Sequence, residues 1–149
     1  VQKIKPFFLG RIGVVLHSLV LCFFIYGYFL PASDWMDVKS VHVSNAKENG
    51  RIGMAAARTI KQDFTATWIA TVYEVRLGEL YWVCAGSDTS SYRKNVKLPT
   101  DLDLLWWTGK CSKLAAGNYI VKTSWLINTP WYMPVKLIES DSNIFEVTK

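Results

Sequence analysis

Histidine is nearly absent from this chain: His17 and His42 are the two in 149 residues. The side chain best suited to proton transfer near neutral pH is therefore scarce, and no serine or cysteine has a recognisable base to activate it. C-x-x-C pairs are lacking, as is any Gly-bracketed acidic loop, so zinc binding, thiol exchange and calcium binding have no ligand set. Asp88, Asp101 and Asp103 read as solvated carboxylates, and His42 as an ordinary surface histidine on an edge strand. No N-x-[ST] sequon occurs, which points to a bacterial or viral source. The expectation is a protein that is not an enzyme and carries no metal or cofactor.

What the chain does have is a long uncharged run. Ile12–Leu30 holds 19 residues without a formal charge, and at about 1.5 Å per residue it nearly crosses a hydrocarbon layer about 30 Å thick. Lys3, Lys5 and Arg11 precede it with no acid, Pro31 closes it, and Asp34 and Asp37 follow. Such flanks put the N-terminus inside. A cleaved signal sequence is the main alternative, but the nearest cleavage position, after Ala32, has Leu30 where a small side chain is needed. A soluble helix would show a polar face, and here only His17 and Ser18 interrupt the run.

The reading is a cytoplasmic tail over residues 1–11, a membrane helix over 12–30, and a juxtamembrane segment with a candidate first strand over 31–47. Residues 48–149 form an outer β-sandwich. Tyr26, Tyr28 and Trp35 suit the outer interfacial belt. His17, Ser18 and Cys22, spaced near one helical turn, mark a face for contact with another membrane helix.

The formal net charge of +5 divides unevenly: three of the 17 basic residues precede the run, leaving 14 against 12 acids beyond it. A domain so near neutrality has no electrostatic footprint for nucleic acid. Of the three cysteines, Cys22 lies in the apolar run, and Cys84 and Cys111 remain to pair. In a periplasmic or extracellular domain they form a disulfide; in a cytosolic one they stay thiols.

Beyond the run, Val38, Val41 and Val43 alternate weakly, Glu48-Asn49-Gly50 is a turn signal, and Arg51–Ile60 reads as extended. Phe64–Val75 and Leu80–Ala85, rich in β-branched and aromatic residues, read as a hairpin turning at Leu77-Gly78-Glu79. Gly86–Tyr92 reads as a polar loop, and Leu102–Trp107 as a strand turned by Thr108-Gly109-Lys110. Tyr119–Ile127 is the strongest strand, with Tyr119, Val121, Thr123, Trp125 and Ile127 on one face. Val135–Ile138 and Ile144–Val147 are short strands about a Ser140–Asn143 turn. Many short strands with no amphipathic helix predict an all-β, immunoglobulin-like sandwich behind one transmembrane helix.

Seven Trp, seven Tyr and seven Phe make up 14% of the residues, more than a small core leaves exposed without reason. Trp68, Trp82, Trp106 and Trp125 lie on strands and are expected in the core. Trp131 and Tyr132, between Pro130 and Pro134, suit a protein interface or the membrane surface. Tyr92 with Arg93 is a second candidate patch.

Leu114–Val121 with its Gly117-Asn118-Tyr119 entry, then Trp125 and Ser142–Val147, resembles the last two strands of a bacterial immunoglobulin-like sandwich. Together with Trp106-Trp107-Thr108-Gly109 and Cys111, the chain is similar to small phage and prophage proteins that have one membrane segment and an exoplasmic domain. Copper-carrying periplasmic sandwiches end similarly, but a lone His42 in the outer domain does not suit a cupric site. The resemblance bears on the fold; the anchor, the short tether from Pro31 to Lys39 and the lack of a catalytic set lead to the expectation of a non-enzymatic, membrane-anchored accessory or binding protein in contact with lipid and with protein partners. The alternatives are a structural membrane protein of a lipid-containing phage virion, a phage lysis or exclusion factor, and a lipid- or glycan-binding module.

Overall fold

The computed structural model describes residues 6–96, 101–104, 111 and 113–149. Its first element is α1, Pro6–Phe29, a 24-residue helix. Proline suits the first position, where the missing N–H would have had no helical partner. The window Ile12–Phe29 is apolar enough to cross a membrane, and only 6% of it is buried. A core helix of a soluble protein would be mostly covered; this one has the length and composition of an anchor or a signal sequence. Leu30 N still donates to Tyr26 O at 3.1 Å, after which Pro31 leaves the helical path and a short 3-10 turn, Ala32–Asp34, enters the domain.

The strands that follow are β1 (Met36–Val43), β2 (Ala46–Lys47), β3 (Gly53–Ile60), β4 (Phe64–Arg76), β5 (Glu79–Tyr92), β6 (Asp101–Asp103), β7 (Gly117–Asn128), β8 (Lys136–Asp141) and β9 (Phe145–Thr148). They make two sheets, ordered β1-β3-β6 and β2-β9-β7-β4-β5, with β8 also paired to β7. The domain is mostly β, in a sandwich-like arrangement. Period-two alternation builds its core: Ala66, Trp68, Ala70 and Val72 of β4 and Tyr119, Val121, Thr123, Trp125 and Ile127 of β7 are buried. Val41, Val43, Met54 and Ala56 from the other sheet, and Leu104 just past β6, are buried with them. Trp106, Trp107, Pro99, the Thr108-Gly109-Lys110 turn and the basic residues Lys3 and Lys5 lie outside the described residues.

Three sequence expectations are corrected here. Gly86–Tyr92 is strand, not loop: it completes β5, pairing with β4 from Ala70 back to Phe64. Backbone pairing along an edge strand is indifferent to polar side chains that face water, and Thr67 and Thr89 hydroxyls meet across the pair at 3.0 Å. Trp82 is not in the core but 65% exposed. The register slips between Val72, opposite Cys84, and Tyr73, opposite Trp82, so Val83 is an extra residue. One added residue moves Trp82 from the inner face, which Cys84 occupies, to the outer face shared with Tyr73.

The Ser140–Asn143 turn also does not reverse the chain. Strands β8 and β9 run end to end along the same edge of β7, pairing with Lys122–Ile127 and Gly117–Tyr119 respectively. Between them Ser142 takes both partners of Val121, its N–H donating to Val121 O (2.8 Å) and its Oγ accepting from Val121 N (2.9 Å). The neighbouring Asn143 amide accepts from Val43 N (2.8 Å) and donates to Val43 O (3.0 Å), tying the end of β1 to the larger sheet.

Leu77 and Gly78, both at positive φ (51° and 84°), form the two-residue turn between β4 and β5 that the right-handed twist of a hairpin favours. Cys84 on β5 is bonded to Cys111, with Cα atoms 5.6 Å apart and a sequence separation of 27. Such a bridge suggests an extracytoplasmic domain. Replacing both cysteines by alanine is expected to destabilise the oxidised domain by about 3 kcal/mol, through freedom restored to the unfolded loop; urea unfolding of the two forms measures it.

Candidate functional site

Helix α1 ends against the domain rather than short of it. A Cβ at Gly27 would lie 3.1 Å from Met133 Cγ, so the missing side chain is what admits the loop between β7 and β8, residues 129–135. Beside it the Phe23 ring meets Tyr132 at 5.1 Å and the Phe24 ring meets Trp131 at 6.3 Å. Lys136, the first residue of β8, is 9% exposed and donates from Nζ to Tyr28 O at 2.7 Å, with its ammonium 6.0 Å over the Tyr28 ring. The last carbonyls of a helix have no helical donor and carry partial negative charge, so a lysine there satisfies one and complements the dipole. Leu30 and Ala32 then pack on the core itself.

The loop satisfies much of its own backbone. Met133 N donates to Pro130 O at 2.9 Å, Thr129 Oγ1 lies 2.9 Å from both Met133 O and Pro134 O, and the two prolines have no N–H to place. Above it a cavity of about 530 Å³ opens between the helix end and the domain. Leu30, Trp35, Phe64, Tyr132 and Met133 give it apolar walls, and Asp34, Gln62, Asp63, Asn128 and Thr129 line its polar side. Gln62 Nε2 donates to Asp34 O at 3.2 Å, and Asp63 Oδ1 accepts from Lys94 N at 2.7 Å, which fixes the chain leaving β5.

Several sequence-chosen residues meet here and others do not. Trp131 is 89% exposed and Tyr132 half-buried, side by side with rings at 5.7 Å. Tyr92 is a correction: it is buried, stacked on Phe64 with centroids 4.9 Å apart, and only its neighbour Arg93 is exposed. Burial raises the Tyr92 phenol above its ordinary pKa, an effect partly offset by Arg58, which is hydrogen-bonded to it. Desolvation in turn lowers the Arg58 guanidinium.

Trp35 is a second correction, buried at the start of β1 and not available to an interfacial belt, whereas Tyr26 and Tyr28 are exposed on α1. The backbone around Trp35 is drawn into the sandwich: its N donates to Ala32 O and its O accepts from Lys61 N. His17 and Ser18 line a shallow groove on α1 with Gly10, Gly13, Val14 and Leu21; Cys22 is exposed and outside it. His17 Nδ1 lies 2.8 Å from Gly13 O within the helix.

At the opposite end of the domain is a second apolar surface. Leu77, Leu80, Tyr81 and Trp82 are exposed around the β4–β5 turn. The Arg76 guanidinium lies over the Tyr81 ring and hydrogen-bonds Glu74, which holds that carboxylate below its ordinary pKa. As for chemistry, Asp88 lies in one sheet and Asp101 and Asp103 in the other, with Asp101 paired to Arg51 at 3.0 Å. Among the described residues no three of His, Cys, Asp and Glu gather as metal ligands would.

Gly27, Lys136 and the Arg58–Tyr92 pair were missed in the sequence. Lys136 alone left a signal, as a single cation between an aromatic loop and an apolar strand. A buried Tyr92 has a titration consequence. Its raised pKa favours the neutral phenol in the fold, so this stabilisation is complete below the unfolded value of about 10 and is lost as pH rises through the folded one. Stability should therefore fall in alkali, and Tyr92→Phe should flatten that fall without abolishing it, since burial raises Tyr119 as well; thermal melts across the alkaline range measure both. Compared with family models, curated proteins and solved structures, the chain matches none of them.

Proposed function

We propose that the chain is a single-pass membrane protein that holds an immunoglobulin-like sandwich at the outer, periplasmic or corresponding viral, face of a membrane. Its N-terminal side is cytoplasmic, and it acts without catalysis as a binding component of a membrane-bound assembly. The observation that carries this reading is the junction. Met133 on Gly27, Lys136 on the Tyr28 carbonyl and Leu30 on the core make α1 part of the folded domain, and removing the helix as a signal sequence would strip those partners away.

Strand order supports the finer description of the sandwich. In an immunoglobulin variable-type domain one sheet holds the A, B and E strands and the other the G, F, C and C′ strands. The orders β1-β3-β6 and β9-β7-β4-β5 follow that scheme. A buried tryptophan, Trp68, stands on the C-equivalent strand. Near the start of the F-equivalent strand the Tyr119 hydroxyl donates to Ala115 O at 2.8 Å, in the manner of a tyrosine corner. The disulfide departs from the scheme, joining β5 to the segment before β7 instead of the B and F strands.

In this orientation β4 leads away from the helix, and its 13 residues lift the Leu77–Trp82 surface roughly 40 Å from the junction, beyond reach of the protein's own bilayer. A protein partner is the occupant we assign to it. In a bacterial host the chain should stay in the membrane after alkaline wash, retain α1 by mass spectrometry, and be cut by protease added outside spheroplasts. A soluble product beginning near Ser33 would sink the anchor. Leu77→Asp combined with Trp82→Asp should abolish co-purification of partners from detergent at unchanged melting temperature; undiminished co-purification, or turnover of a substrate by the purified domain, would refute the binding role.

A further inference from the structure

The loop between β7 and β8 lies alongside the helix, not above it. Phe23 and Phe24, on which Tyr132 and Trp131 pack, stand six and five residues before the helix end at Phe29, so the loop reaches about 8 Å back along the apolar span. We propose that residues 130–135 are a second membrane contact, seated at the boundary between headgroups and acyl chains of the outer leaflet, with Trp131 as the lipid-facing side chain. This rests on the reading of α1 as a retained anchor.

Four observations meet in the loop. Continuity with the helix fixes its depth, because any bilayer that covers Phe23 and Phe24 also covers what is packed on them. No formal charge occurs from Thr129 to Val135, and the first charge after them, Lys136, is turned onto the Tyr28 carbonyl at the helix end. Irregular backbone is excluded from lipid unless its polar groups are met, and here the Pro130–Met133 turn, the Thr129 hydroxyl and two prolines meet many of them locally. Trp131, at 89% exposure, is an amphipathic ring with no protein neighbour on most of its surface, as an interfacial tryptophan requires. Val135 and Leu137 extend the exposed apolar surface beside it. The domain is thus fixed to the membrane at two points, and its cavity, walled by Leu30 and Tyr132, faces the headgroup layer.

The full chain reconstituted in phosphatidylethanolamine–phosphatidylglycerol vesicles, with part of the lipid brominated near the start of the acyl chains, tests this. Trp131→Phe keeps an aromatic ring beside Phe24 and removes one indole. The bromolipid-quenched part of the tryptophan emission should fall by more than about half in the variant, because an interfacial indole is within reach of shallow bromines and the domain's buried indoles are not. Equal quenching in the two vesicle-bound proteins would overturn the inference and leave the anchor standing. Failure of both to float with the vesicles would overturn the anchor reading and this inference with it.

Discussion

One charge-assisted hydrogen bond, from Lys136 Nζ to the Tyr28 carbonyl, joins the two halves of this molecule. A helix end is a set of carbonyls in search of donors, and where solvent is excluded an unmet one is expensive. Here the donor comes from the sandwich. The same residue opens β8, so the strand cannot shift along β7 without leaving the helix end unmet, and the aromatic loop before it is held at a fixed height beside α1. Gly27 makes the approach close enough for the bond to form.

Within the domain a comparable economy of side chains replaces backbone. Ser142 and Asn143 interrupt the β8–β9 edge but restore its hydrogen bonds through a hydroxyl and an amide, and Asn143 does so for the end of β1 as well. The two sheets are therefore connected at one corner by hydrogen bonds as well as by the apolar core. At the other side of the larger sheet the disulfide secures β5, which among the described residues is the edge strand.

Alternation made much of the fold legible. The buried face of β7 and the hairpin of β4 with β5 follow directly from residues such as Val121, Trp125 and the Leu77-Gly78 turn, because a half-buried strand must alternate. Composition misled where pairing, not burial, held the chain: Ser87–Ser91 look like loop yet have a full set of β4 partners. The position of Trp82 depends on a bulge at Val83, which no local pattern announces. Tyr92 and Trp35 looked like surface aromatics beside charged neighbours; Tyr92 is buried on Phe64, and Trp35 is drawn in where its carbonyl accepts from the distant Lys61 N. Of the site, Trp131 and Tyr132 were visible as a loop between prolines; Gly27 had no reason to stand out among small residues of an apolar helix.

The hairpin of β4 and β5 acts as a measuring rod. With α1 packed at one end of the domain and a two-residue turn at the other, the distance of Leu77 from the helix end is set by strand length, at about 3.3 Å per residue. Pairs of residues added to or taken from both strands would raise or lower the tip by whole pleats while keeping the same faces in and out. The tip is therefore held at one distance from the helix end, and that distance is encoded in the number of rungs.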